Sequence, residues 1–163
     1  MSPSKMPKKT RKSCFETNGR PESTASALSE AQELCAARGR RLTDLRHAVL
    51  QEIWRSEKPA GAYEILAALK NDFPKAAPIS IYRALDFLTE NGLIHRLNSL
   101  NAFIGCRRPA EKHVPAFLVC SVCGRADEIK ADKAFKELKK GTGKFKAKSV
   151  AIEIFGVCPS CRK

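Results

Sequence analysis

The stretch PISIYRALDFLTENGLIHRLNSLNAFIGCR, residues 78–107, changes periodicity partway along. Ile81, Leu85 and Leu88 recur at helical spacing, behind Pro78 and Ser80 and ahead of Gly92. The first part therefore reads as a helix over 81–91, opened by proline and stopped by glycine. Two β-like runs follow, 93–98 and 102–107, around a turn containing Ser99, Leu100 and Asn101. A helix that runs into a hairpin is the closing half of a winged helix-turn-helix. The residues upstream supply its other helices. Ser26 or Ser29 can cap a short helix that reaches Arg38 and ends at Gly39. Thr43 caps a second, with Leu45, Ala48, Val49 and Ile53 at helical spacing. Pro59 and Gly61 interrupt the chain, and Ile65, Leu66, Leu69 and Phe73 form one face of a third helix that Pro74 ends.

Beyond the hairpin the pattern changes again. A linker rich in Arg, Pro and Lys leads to strand-like runs at 116–120 and 125–130, a short helix capped by Asp132 with Ala134, Phe135 and Leu138, a stop at Gly141, and an alternating strand at 150–155. The chain thus divides into a disordered basic arm (1–27), a winged-helix DNA-binding domain (28–107), a linker (108–115) and a small α/β domain (116–163). The fold class is α+β.

At 163 residues and 43% hydrophobic, the chain can bury a core or two small ones. No apolar run is long enough to cross a bilayer, and no apolar segment follows the basic N-terminus, so the expectation is a cytoplasmic protein without a membrane partner. The net charge of +13 favours a polyanion, usually nucleic acid, although a solvated basic surface would give the same count. The basic excess is spread over both halves of the chain.

Seven cysteines in a reducing compartment point to metal rather than disulfides. Cys120-Ser-Val-Cys123-Gly124 and Cys158-Pro-Ser-Cys161 are two C-x-x-C knuckles. Each brings two thiolates to one ion, and Gly124 supplies the tight turn. Four thiolates make a tetrahedral zinc site closed to substrate, hence structural. Redox pairs or disulfides are the alternatives, but neither pair opens a helix after a strand as a redox motif requires. Zinc here would stabilise a domain too small to hold alone.

Four further candidate ligands remain: His95, Cys106, His113 and Glu128. With a hairpin turn centred on Leu100 and Asn101, His95 and Cys106 stand opposite one another, with Cβ atoms roughly 5 Å apart. His113 lies in the linker and Glu128 just past the first knuckle, so one ion on all four would bridge the wing to the C-terminal domain. Two imidazoles, a thiolate and a carboxylate suit Zn2+, and the thiolate argues against Mg2+, Ca2+ or Mn2+. The competing reading has the histidines as surface or packed residues and Cys106 as a small buried hydrophobe. Cys14 and Cys35 have no partner at metal spacing.

In order along the chain, Leu42-Thr43 with Arg46, Ala62-Tyr63, Ile81-Tyr82-Arg83-Ala84-Leu85-Asp86-Phe87-Leu88, Gly92-Leu93-Ile94-His95 and the two cysteine pairs resemble the ferric uptake regulator superfamily, specifically its zinc uptake regulator branch. The resemblance spans about residues 28–163. It implies that Cys120, Cys123, Cys158 and Cys161 are structural zinc ligands, that His95, Cys106, His113 and Glu128 are regulatory zinc ligands, and that each subunit holds two Zn2+. The iron-sensing branch carries a His-rich cluster before the first cysteine pair. Here that region reads Glu111-Lys112-His113-Val114-Pro115, and the whole chain has three histidines, which favours zinc over iron, manganese or peroxide sensing.

On the fourth helix Arg83 lies opposite the Ile81, Leu85 and Leu88 stripe, where a groove would be, and arginine pairs bidentately with guanine. Tyr82 sits on the flank, able to touch bases or to pack on the third helix. The resemblance makes Tyr63 and Arg83 the expected base contacts. Arg46, Lys75 and Arg96 are expected at phosphates, which position the protein without reading sequence. It also implies a homodimer on double-stranded DNA, with an AT-rich palindromic operator whose half-sites lie about a helical turn apart. The expected function is a zinc-responsive repressor of zinc-uptake genes. A related sensor of another metal or of peroxide, or a zinc-stabilised DNA-binding module without sensing, are the alternatives. No enzyme activity and no small organic substrate are expected: the H-x-E and P-C-x-x-C pattern of zinc deaminases is absent, and a four-thiolate site has no open position.

Overall fold

The computed structural model describes Phe15, residues 23–146 and residues 150–162. Most of the expected basic arm, with Cys14, lies outside the described residues. Helix α1 (Thr24–Ala37) starts earlier than Leu28 because Ser23 is its cap: the Ser23 hydroxyl accepts the Ser26 N–H at 3.1 Å. Ala27, Leu28, Ala31 and Cys35 form its buried face. Cys35 is therefore a core residue, 1% exposed.

Helix α2 (Asp44–Arg55) follows Thr43, whose hydroxyl makes no capping bond; Asp44 in the first turn and Arg55 in the last suit the helix dipole instead. Helix α3 (Ala62–Ala68) is anchored by the Glu64 carboxylate, which accepts the Gly61 N–H at 2.8 Å. It is shorter than the apolar spacing predicts: Leu69 caps it, and Phe73 packs from the turn that follows. Helix α4 (Pro78–Glu90) has Pro78 in its first turn and buries Ile81, Ala84, Leu85 and Leu88. Gly92, at φ +70, takes the left-handed conformation that turns the chain into the hairpin.

Strands β1 (Ile94–Leu97) and β2 (Ala102–Gly105) form the wing. Ala60 and Phe103 exchange backbone hydrogen bonds of 2.9 Å, which tie the α2–α3 loop to the wing. Leu50, Ile65, Ile81, Leu85, Leu88 and Ile94 are all but fully enclosed between these elements. Each contributes about 1.5–3 kcal/mol relative to exposure.

Gly105 lies flat against the Trp54 indole, and a Cβ there would overlap the ring. Trp54 is half-buried and packed against the core, so it cannot swing clear cheaply. Gly105→Ala is expected to destabilise the winged-helix part by about 1–3 kcal/mol, read as a lowered urea midpoint with an unchanged m-value.

The second part is a mixed three-stranded sheet, order β4-β3-β5, of β3 (Pro115–Cys120), β4 (Ala126–Lys130) and β5 (Ile152–Gly156). β3 runs antiparallel to β4 and parallel to β5. Helix α5 (Asp132–Lys140) crosses between β4 and β5. Asp132 is its first residue rather than its cap: its carboxylate accepts the Val114 N–H at 3.1 Å, which pins the linker to the helix start. Helix α5 has no fully buried side chain, and Leu138, Phe145, Ile154, Phe155 and Val157 are exposed. Apolar surface of this extent on one small unit is the kind that a partner covers.

Candidate metal centres and nucleic-acid interface

The parallel pairing of β3 with β5 assembles the first cluster. Cys120 ends β3 level with Gly156 at the end of β5, so the knuckle after β3 and the knuckle after β5 emerge at the same sheet edge. Gly124, at φ +71, folds the first knuckle back so that its N–H donates to the Cys120 carbonyl at 2.9 Å. In the second, the Cys161 N–H donates to the Cys158 carbonyl at 2.9 Å. The four sulfur atoms lie within 4.8 Å of one another. The Cys158 N–H points at Cys120 Sγ at 3.3 Å.

Backbone N–H groups of Cys123 and Cys158 hold the Cys120 thiol down at about 6, whereas burial pushes Cys158 up to about 12. The four sulfurs cannot all be thiolates side by side unless a cation compensates them. Four sulfur donors with no carboxylate or open position are the donor set of structural zinc.

The second cluster joins the two parts of the chain. His95 comes from β1, Cys106 from just past β2, His113 from the linker and Glu128 from β4, and their donor atoms also lie within 4.8 Å of one another. The hairpin register differs from the one expected. His95 stands opposite Ile104, and Cys106 pairs with Leu93 through its N–H, at 2.9 Å from the Leu93 carbonyl. His95 and Cys106 are therefore diagonal neighbours, not an opposed pair. Because the offset is two residues, they still project from one face.

The supporting contacts were not legible as ligand spacing. The Glu111 carbonyl accepts the His113 Nδ1–H at 3.0 Å, which turns Nε2 inward. There Nε2 stands 2.6 Å from Glu128 Oε1 and 3.9 Å from Cys106 Sγ. The Arg107 N–H donates to Glu128 Oε2 at 2.9 Å, fixing the carboxylate, and the Arg107 guanidinium pairs with buried Asp127 beside it. Arg108 reaches within 3.6 Å of Glu128 Oε1. His95 Nε2 lies 3.8 Å from the same oxygen.

His95 Nε2 is buried and has no hydrogen-bond partner among the described residues. A buried nitrogen left in that state costs free energy unless something binds it. Donors about 2.0–2.3 Å from one tetrahedral ion stand about 3.3–3.8 Å apart. The His95–Glu128 and Cys106–His113 separations, 3.8 and 3.9 Å, lie at and just beyond the long end of those edges, and the His113–Glu128 contact is tighter, a direct hydrogen bond. The cluster therefore fits a zinc ion by donor type and by its orphaned nitrogen. Burial lowers the His95 pKa, keeping the ring neutral and fit to ligate. Burial and the Glu128 charge push the Cys106 thiol up to about 12.

The expected nucleic-acid residues divide. Arg83 projects from the face of α4 opposite its buried stripe and is exposed, as is Lys75. Tyr63 is 68% exposed on α3, and Tyr82 is 39% exposed. Arg46 is engaged internally: its guanidinium donates to the Arg41 carbonyl at 2.8 Å and lies over the Phe87 ring at 3.6 Å. Arg96 donates to the Asn101 side-chain oxygen at 2.7 Å and braces the wing turn, where Asn101 has φ 47. Ile79, 59% exposed on the same outward face as Arg83, escaped the sequence reading; its only signal was an apolar residue off the buried stripe.

Fold and clusters together define a winged-helix protein with two potential metal centres, one within the C-terminal sheet and one between sheet and wing. The sequence profile of the Ferric uptake regulator family matches residues 37–155, and the chain belongs to that family. It is 33% identical over 141 residues to the zinc uptake regulation protein of Escherichia coli (strain K12), across 85% of this chain and 82% of that one. A solved zinc uptake regulator complexed with zinc and DNA superposes with a TM-score of 0.81 at 33% identity, covering 85% of this chain and 94% of that one. Crystal structures of XcZur in two forms match unequally. The holo form gives a TM-score of 0.75 at 36% identity over 82% and 95% of the two chains, and the apo form 0.51 at 33% identity over 86% and 98%.

Proposed function

We propose that this protein is a zinc-responsive transcriptional repressor whose zinc-loaded homodimer binds AT-rich palindromic operators and represses zinc-uptake genes. The observation that carries the reading is the convergence of His95, Cys106, His113 and Glu128 from the wing, the linker and the sheet, with His95 Nε2 buried and unpartnered. The greater similarity to holo than to apo XcZur supports it, since the chain adopts the arrangement of a zinc-bound relative.

Each subunit holds two Zn2+. Cys120, Cys123, Cys158 and Cys161 carry the structural ion, and His95, Cys106, His113 and Glu128 the regulatory one. When bound, the second ion supplies a tie between four donors. The protein supplies everything that makes the tie informative. Two donors ride on the wing and its end, and Glu128 is fixed by the Arg107 N–H on the sheet. A bound ion would thereby favour the placement of the recognition helices in which all four donors meet, and only to the extent of its preference for that placement. The exposed apolar surface of the sheet and α5 forms the dimer. Helix α4 enters the major groove with Arg83 at a guanine edge and Ile79 against a thymine methyl, while Tyr63 and Tyr82 flank them and Lys75 reaches phosphate. Arg46 and Arg96, held by their own partners, meet phosphates only if those bonds are shared. The absence of catalysis follows from centres built for structure and for switching.

An operator-binding titration in zinc buffers, with metal content measured on the same sample, tests this reading. Affinity should rise as the second equivalent of zinc binds; affinity independent of free zinc would leave a DNA-binding module without sensing. Arg83→Ala should weaken operator binding by about 1–3 kcal/mol and relax discrimination at one base pair of each half-site, seen by comparing operator variants at fixed salt.

Zinc affinity at the regulatory centre should depend on pH. Cys106 without metal keeps its proton through neutral pH, and neutral His95 has none to lose. Zinc must displace the thiol proton, and with it the proton of the His113–Glu128 hydrogen bond, so affinity should rise by at least about tenfold per pH unit between roughly pH 7 and 8.5. A chelator-competition series across that range checks the sign and slope.

A further inference from the structure

The wing meets the sheet at a second polar point, away from the four metal donors. Leu97 of β1 is fully buried and packs on Phe117 and Val119 of β3, with Ile104 and Ala126 closing the contact. The sheet register explains what flanks this patch. Phe117 is level with Glu128 on β4 and with Glu153 on β5, so one row of the sheet reads carboxylate, phenyl ring, carboxylate, and residues level in register share a face. Glu128 reaches the cluster that contains His95. Glu153, at the other end of the row, reaches the wing turn: its Oε1 accepts the Asn98 backbone N–H at 2.7 Å, and its Oε2 accepts the Ser99 hydroxyl. β1 therefore lies along the row, with His95 at Glu128, Leu97 over Phe117, and Asn98 and Ser99 at Glu153.

We propose that Glu153 is a positioning residue for metal sensing: a metal-independent anchor that holds the wing turn on the sheet so that His95 and Cys106 meet His113 and Glu128. The proposal rests on the cluster being the regulatory zinc centre. The cluster fixes one end of β1 on the sheet and the Leu97 packing fixes its middle. Glu153 fixes the far end, where the strand runs into the turn. Its bonds are charge-assisted on the acceptor side and thus stronger than neutral ones. By linkage, whatever populates the docked wing raises the apparent affinity of a ligand that needs both surfaces, by the same factor.

The test uses the full-length protein with its four-cysteine site filled. Glu153→Ala should speed hydrogen exchange at the Asn98 amide and weaken second-site zinc binding, measured by chelator competition, by roughly tenfold. Glu153→Gln, which keeps an oxygen for the Asn98 N–H, should recover part of both losses. Ser99→Ala, a change on an exposed turn that folding tolerates, should shift both readouts in the same direction, and the double variant with Glu153→Ala should add little. Unchanged Asn98 exchange and unchanged second-site affinity in Glu153→Ala would overturn the proposal. A wild-type protein that takes up only one zinc would instead remove the regulatory reading, and Asn98 exchange would still decide whether Glu153 anchors the turn.

Discussion

Cys106→Ser is expected to leave a folded dimer carrying one zinc per chain and to abolish zinc-stimulated operator binding. Cys106 is 2% exposed and faces His113 across 3.9 Å. Serine matches its shape, so the wing can still fold, but a hydroxyl is a far poorer zinc donor than a thiolate. Losing a supporting contact alone costs 10–100-fold in metal affinity, so losing a direct ligand should cost more than about 100-fold. Operator affinity should then fall by the whole coupling between the two ligands, about 5–150-fold. Fluorescence anisotropy on an operator duplex in zinc buffers, with circular dichroism and metal content on the same sample, separates this from unfolding. A variant with the wild-type zinc response would remove Cys106 from the centre.

Cys123→Ser should act on the other half of the molecule and through stability. The C-terminal part has little apolar interior of its own. Among the described residues its cysteine cluster buries Cys120 and Cys158, with Phe15, Cys123 and Cys161 packed on them, and its second patch, Phe117 and Val119, is completed by Leu97 from the wing. Helix α5 buries nothing fully. The entropy of ordering about 45 residues exceeds what so few contacts return. Structural zinc supplies about 10–16 kcal/mol in small zinc domains. The variant should lose its zinc, its dimer and the exchange protection of β3, β4 and β5, while α1–α4 stay protected by their separate core. Sedimentation and hydrogen exchange would show this, and a dimeric variant with a protected sheet would contradict it.

How much of this was legible depended on whether the signal was local. Helix α4 and the wing could be read because Ile81, Leu85 and Leu88 repeat at helical spacing and Pro78 and Gly92 mark the ends. The cysteine pairs carry their geometry within four residues. The start of α1 was missed because Ser23 sits in a run of similar residues, where several hydroxyls could serve as cap. The hairpin register was misjudged by one turn position, since nothing in Ser99-Leu100-Asn101 fixes where it centres. The parallel pairing of β3 with β5 left no mark in sequence. Hence neither the shared edge of the cysteine knuckles nor the Glu128, Phe117 and Glu153 row was visible. The Arg107 and Glu111 contacts to the second centre are backbone groups, which residue identity does not reveal. The family resemblance supplied the expected ligand set, but not the contacts that hold those residues in place.

Anomalous diffraction at the zinc edge, from crystals of the zinc-loaded protein, tests the central claim most directly. Two peaks per chain are predicted, one amid Cys120, Cys123, Cys158 and Cys161, and one in contact with His95, Cys106, His113 and Glu128. A single peak at the cysteine knuckles, with the wing still docked on the sheet, would contradict it.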